Sequence, residues 1–124
     1  VIYGDGGQTR DFCYVDNAVQ ANLLAGLTER TDAVNTVYNV AAHRQTSLNQ
    51  LFAAMRDELV KRFPDIAGAR AHYRDFRAGD VRHSLADITR AQTLLGYAPT
   101  HDVSRGLAEA MNWYVARFAP ATLA

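Results

Sequence analysis

The sequence predicts a mixed α/β chain, and three observations carry that prediction. Short β-branched or aromatic runs, at residues 1–3 and in the Thr-Val-Tyr-Asn-Val of residues 36–40, read as strands. Between them lie stretches whose apolar residues recur every three to four positions, as helices require. Glycine-bearing turns at residues 4–7 and 77–80, and prolines at 64 and 99, punctuate the two kinds of run. Two or three short strands with three to four helices are too little for an independent doubly wound sheet.

Taken in order, residues 1–3 form a strand, residues 4–7 a turn that tolerates positive φ, and residues 10–15 a second extended run. Asp16 is placed to cap a helix over residues 17–28. There Val19, Leu23 and Leu27, with Leu24 beside them, make one apolar stripe. Residues 36–40 are expected to be a strand buried on both faces. Ser47 and Gln50 have capping-box spacing, and Leu48, Leu51, Phe52, Met55 and Leu59 trace a helical face down to Lys61 and Arg62. Pro64 stops that helix, with Gly68 in the loop that follows. A short extended segment falls within residues 70–76. Asp87 caps a brief helix through Leu95, ended by Gly96, with Tyr97 placed to pack back. Asp102 or Ser104 begins the last helix, whose Leu107, Met111, Tyr114 and Phe118 share a face with Trp113 beside it; the tail after Pro120 is expected to fray.

Composition narrows the class. A chain of 124 residues, 48% hydrophobic, suits one domain with a modest core. Thirteen basic residues balance thirteen acidic ones, so no overall field draws nucleic acid or an anionic membrane, and local clusters must do any anion binding. Cys13 is the single cysteine, which fits a reducing cytoplasm better than a disulfide scaffold; a small buried hydrophobe is its expected role. No apolar run approaches the roughly 20 residues that cross a bilayer. The chain opens on Val1-Ile-Tyr3 without an initiator methionine, so a piece of a longer protein is expected.

Two segments carry the chemistry. Arg77-Ala-Gly-Asp-Val-Arg-His-Ser84 sets two guanidinium groups, a carboxylate and a hydroxyl around one glycine, and Gly4-Asp-Gly-Gly-Gln-Thr-Arg-Asp-Phe12 places Arg10 after a glycine turn. Guanidinium forks match phosphate oxygens and glycines allow close backbone approach, so the two segments together would cradle a diphosphate. Asp80 could then accept hydrogen bonds from ribose hydroxyls. Plainer readings stand beside these: Arg10 as a surface cation paired with Asp11 or Asp16, and residues 77–80 as an ordinary turn. Arg82, Arg74 and Arg44 are expected to be solvated or paired with Asp75, Asp80 and Asp57. The four histidines are dispersed, with no pair at metal-ligand spacing, so no zinc site is expected. Gly4-Asp-Gly6 lacks the third glycine of a dinucleotide fingerprint.

As strings, Gly-Asp-Gly-x-x-x-Arg-Asp-Phe-Cys-Tyr-Val-Asp-Asn from Gly4, Tyr38-Asn39-Val40, Thr46-Ser-Leu-Asn-Gln-Leu-Phe52, and Tyr73-Arg-Asp-Phe-Arg-x-Gly-Asp-Val-Arg-His-Ser-Leu-Ala-Asp87 resemble one family. The chain resembles the C-terminal, substrate-binding part of extended short-chain dehydrogenases/reductases, and within them bacterial UDP-N-acetylglucosamine 4-epimerases. The resemblance implies that residues 1–124 are the C-terminal substrate-binding region of a Rossmann-type epimerase. A UDP-sugar would be its ligand, NAD would be held by an N-terminal part outside this sequence, and the full-length protein would be a homodimer. It implies that Val1, Ile2 and Tyr3 line the uracil pocket, that Arg10 and Arg77 contact the diphosphate and Asp80 a ribose hydroxyl. Ser84 would bound the sugar near its 2-substituent, where a small side chain leaves room for an N-acetyl group. Members of the family oxidise the sugar C4 hydroxyl with NAD and return the hydride to the other face, using a Tyr-x-x-x-Lys pair. No such pair occurs here, because Lys61 is the only lysine and residue 57 is Asp. A dehydratase or decarboxylase of the same family, and a non-catalytic binding module, are the competing readings.

Overall fold

A computed structural model describes residues 1–118, in the order β1 (Ile2–Tyr3), β2 (Thr9–Arg10), α1 (Val15–Leu27), β3 (Thr46–Ser47), α2 (Leu48–Val60), a 3-10 turn (Pro64–Gly68), β4 (Tyr73–Arg74), α3 (Thr89–Leu95) and α4 (Val103–Phe118). The mixed α/β class is as expected. The strands pair in two small sheets. β1 runs parallel to β4, with Ile2 opposite Tyr73, and β2 runs antiparallel to β3, with Thr9 opposite Ser47. A further parallel bridge joins Thr9 to His83, so β2 has a neighbour on each side. The expected fraying after Pro120 lies outside the described residues.

Local signals predict the helix ends well. Ser47 and Gln50 form both halves of the capping box, the Gln50 N–H donating to Ser47 Oγ at 3.1 Å and the Ser47 N–H to Gln50 Oε1 at 2.8 Å. Gly96 closes α3 with φ of 69°, a left-handed cap that costs glycine little. Tyr97 then folds back: its ring is fully buried and its hydroxyl donates to the Ala41 carbonyl at 2.8 Å. Asp102 caps α4 through the Arg105 N–H at 3.0 Å. Gly106 lets that helix sit against Tyr14, since a Cβ there would lie 2.8 Å from the ring. Pro64 ends α2 as expected but starts a 3-10 turn, so Gly68 belongs to a helical turn rather than an open loop.

Three expectations need correction. Residues 36–40 form no strand: among the described residues they make no backbone-to-backbone hydrogen bond, because no neighbouring segment offers one. Tyr38 and Val40 pack on the core formed by Ala21, Ala41, Ile88, Ala91 and Tyr97, whereas Val37 points outward and is 80% exposed, so one face is buried and not both. The strand between α1 and α2 is instead Thr46–Ser47. Helix α1 begins at Val15, its first turn closing on the Tyr14 carbonyl; Asp16 lies inside that turn and does not cap it. Its packed face is the narrow one, Asn17, Ala21 and Leu24, which lets α1 approach α3 closely. The stripe Val19, Leu23 and Leu27, joined by Val15, faces the other way and is exposed.

Candidate functional site

The two arginine segments meet at β2. On one side the Thr9 N–H donates to the Arg82 carbonyl at 3.0 Å, and the Ser84 N–H donates to the Thr9 carbonyl at 3.1 Å. Residues 82–84 therefore run beside the strand that carries Arg10. The loop ahead of them is a tight turn: the Asp80 N–H donates to the Arg77 carbonyl at 3.2 Å, and Gly79 takes φ of 77°, the sign a type II turn needs at its third position. Arg10 reaches across to this turn and forms an ion pair with Asp80, while its Nη1 donates to the Thr9 carbonyl at 2.7 Å. The expected alternatives for Arg10, Asp11 and Asp16, are not its partners.

Arg77 lies at the other end of the turn. Its Cζ sits 3.9 Å from the centroid of the Tyr3 ring, a cation–π contact that links the turn to β1. Hydrogen bonding to Arg77 first, and its charge second, hold the Tyr3 phenol below its ordinary pKa, with Arg74 adding to the effect. Among the described residues Arg77 forms no ion pair, so its charge is not neutralised by a carboxylate. Ile2 is buried, Tyr3 half-buried and Val1 exposed. Ser84 is exposed, its backbone fixed by Thr9.

The glycine turn between β1 and β2 is held from three directions. The Gly4 N–H donates to the Arg74 carbonyl at 2.7 Å and the Asn49 N–H to the Gly6 carbonyl at 3.0 Å. Gly4 has φ of 81°, and a Cβ there would meet Phe76 at 2.4 Å, so this close approach admits glycine alone. Asp5 takes a two-pronged ion pair from Arg82, at 2.7 and 2.8 Å, which holds its carboxyl down at about 2. Arg82 is thus paired with Asp5 and Arg44 with Asp102 at 3.3 Å, while Asp57 pairs with Arg56; the expected partners for Arg82 and Arg44 are corrected accordingly. The Arg44 and Arg82 pairings join residues 58 and 77 positions apart, beyond the reach of any spacing rule.

Two other features fall outside this site. Cys13 is exposed rather than buried, and lines an open apolar cleft with Phe12, Tyr14, Leu107 and Trp113 that includes none of Arg10, Arg77, Asp80 or Ser84. Partial desolvation pushes its thiol pKa up, which disfavours the thiolate a nucleophile requires. Asp16, His101 and Glu109 bring metal-ligand atoms within 4.8 Å of one another. Two of the three already pair, His101 Nε2 lying 3.0 Å from Glu109 Oε2, and Arg105 Nε donates to Glu109 Oε1 at 3.1 Å. Beneath them Asn17, fully buried, donates to the His101 carbonyl at 2.7 Å and accepts the N–H groups of Thr100 and His101 at 2.9 and 3.1 Å. Spacing alone carries no sign of that clamp. An amide one turn into a helix, opposite an apolar stripe, is the only available hint.

The site is thus a small α/β region in which Arg77 lies over Tyr3 and Arg10 reaches the same turn from β2. Residues 1–110 match the family model described as GDP-mannose 4,6 dehydratase, and the chain belongs to that family. It is 31% identical over 113 residues to a UDP-glucose 4-epimerase of Mycolicibacterium smegmatis, covering 91% of this chain and 33% of the relative. Among solved structures it superposes with a TM-score of 0.79 on the UDP-N-acetylglucosamine 4-epimerase of Methanobrevibacter ruminantium M1 in complex with UDP-N-acetylmuramic acid. The two are 34% identical, with 94% of this chain and 34% of that one covered. It also resembles the Bacillus cereus UDP-glucuronic acid 4-epimerase in complex with UDP-glucuronic acid and NAD, at a TM-score of 0.70 and 33% identity, over 94% of this chain and 34% of that one. The chain spans about a third of the length of the curated relatives it matches. Among the described residues no helix is long and apolar enough to cross a membrane.

Proposed function

We propose that this chain is the substrate-binding part of an NAD-dependent UDP-sugar 4-epimerase. Arg77 and Arg10 hold the diphosphate, Asp80 takes a ribose hydroxyl, residues 1–3 border the base, and Ser84 bounds the sugar. The observation that carries this reading is the state of Arg77: among the described residues its guanidinium has no carboxylate partner, and it is stacked on Tyr3 and joined through its turn to Arg10 and Asp80. A planar cation left unpaired beside an aromatic ring suits a ligand that offers phosphate oxygens next to a base. The exposed Ser84 leaves space beside the site for an N-acetyl group, which favours a UDP-N-acetylhexosamine over a plain hexose.

NAD does not belong to these residues. The glycine turn leads into β2 rather than the start of a helix, so it offers no helix N-terminus to a pyrophosphate, and NAD is assigned to the rest of the protein. Without a Tyr-x-x-x-Lys pair the 124 residues alone do not turn over. A second reading, 4,6-dehydration, is favoured by the description of the matching family.

The test is to incubate the full-length protein with UDP-N-acetylglucosamine and with UDP-glucose, and to follow the products. Formation of the 4-epimers supports the proposal, a released keto sugar supports the dehydratase, and the absence of either product overturns both. Arg77→Ala is expected to lower kcat/KM by about 10- to 100-fold, the loss of one charge-assisted contact to a phosphate. Unchanged kinetics would remove Arg77 from the site.

A further inference from the structure

We propose that Asp11 is a positioning residue of the diphosphate site, tethering the strand that carries Arg10 to the segment that carries Ser84; this rests on the nucleotide reading above. Asp11 follows Arg10 directly but is not its ion partner. Its carboxylate is occupied by backbone from two remote segments. Oδ1 accepts the N–H groups of Ala42 and Arg44 at 3.1 and 3.3 Å, and Oδ2 accepts the N–H of Ala86 at 3.2 Å.

Ala86 is held at both backbone groups. Its carbonyl is engaged by His43 Nδ1 at 2.8 Å, and the next carbonyl, of Asp87, accepts from Asn39 Nδ2 at 3.1 Å. Side chains here do the work that a strand ladder does elsewhere. At the other end of the same stretch, the backbone of Thr9 binds Arg82 and Ser84. Residues 82–86 are therefore fastened to the β2 strand at Thr9 by backbone and at Asp11 by a carboxylate. Arg10 is the residue between the two fastenings, and its guanidinium meets Asp80 in the turn just before that stretch. The geometry makes Asp11 the part that sets where Arg10 points relative to Ser84.

A carboxylate is needed because both oxygens accept. An asparagine keeps one acceptor and turns an NH2 group toward an N–H at the other, so one of the two tethered segments must let go. The experiment is a calorimetric titration of UDP into the full-length protein as wild type, Arg10→Ala, Asp11→Asn and the double variant. Asp11→Asn is expected to weaken binding about tenfold. The double variant is expected to bind within about twofold of Arg10→Ala, because Asp11 acts through Arg10. KM for the UDP-sugar should rise with Asp11→Asn while kcat stays within about twofold, a split that general loss of stability does not produce. Additive losses, or unweakened binding in Asp11→Asn, overturn the inference and leave the nucleotide site standing. A wild type that binds no UDP overturns both. Should Asp11→Asn not fold, His43→Ala reads the same tether from its exposed end. There a loss of about threefold, again absent on top of Arg10→Ala, is expected, and unaltered affinity overturns the tether.

Discussion

The neighbourhood of β2 and the outer flank made by α1 and residues 34–40 end in opposite states. Around β2 most polar groups find partners within the chain, Arg10 with Asp80, Arg82 with Asp5 and Asp11 with three backbone N–H groups, while the buried Gln8 Oε1 finds none among the described residues. On the outer flank Val15, Val19, Leu23, Leu27, Val34 and Val37 are all exposed, and residues 36–40 have no ladder with any other described residues. The difference is one of scale. A hydrogen bond is completed by one side chain, whereas an apolar helix face needs a whole neighbouring layer to cover it. A chain a third as long as its relatives can therefore pair most of the polar groups around β2 while leaving apolar surface open.

The sharpest way to break that contrast is to open the buried polar clamp on α1. Asn17→Ala leaves the N–H groups of Thr100 and of the buried His101, and the His101 carbonyl, without their Asn17 partner, and is expected to cost about 2–4 kcal/mol, read as a fall in thermal midpoint. The outer stripe should answer differently. Leu23→Gln with Leu27→Gln is expected to change the stability of the 124-residue chain by no more than about 0.5 kcal/mol, because neither side chain is buried in it. The same pair should reduce concentration-dependent self-association measured by light scattering. A stripe variant as damaging as Asn17→Ala would erase the distinction. The smallest expected effect is at Asp5. Arg82 holds its carboxyl at about 2, below the ordinary 3.8, so the contribution of this pair is present above that ordinary value and is lost as pH falls through about 2. Both side chains are about half exposed, at 46% and 55%, so the stability change is slight, and a carbon-detected titration of the Asp5 carboxyl is the proper measurement. In Arg82→Ala its midpoint should return toward 3.8.

How much was legible in the sequence follows the same division of scale. Ser47 with Gln50, Gly96 before Tyr97, and Asp102 ahead of α4 each act over three or four residues, and each is found where the spacing predicts it. The α1 stripe is legible as a stripe, but periodicity does not say which face packs, and the small residues Asn17 and Ala21 took the inside. Residues 36–40 have strand composition, yet a strand is a property of a pair, and among the described residues no backbone pairs with them. At the candidate site, the glycine turns and their arginines were readable. Their pairing was not, because Arg10 and Asp80 are 70 positions apart and nothing local distinguishes Asp80 from Asp11 as a partner. The tether made by Asp11 is hidden for the same reason: its acceptors reach 31 to 75 positions along the chain.

The ion pairs around the glycine turn also set how an anion experiences this face. Two of the four guanidinium groups here, Arg10 and Arg82, carry their own counter-charges; among the described residues Arg74 and Arg77 form no ion pair, so the long-range attraction comes from those two. Association should therefore slow with rising ionic strength as steeply as two charges dictate, not four. Under the proposed function, a diphosphate would be drawn in by Arg74 and Arg77 and would meet Arg10 only at contact range, where Asp80 already pairs with it.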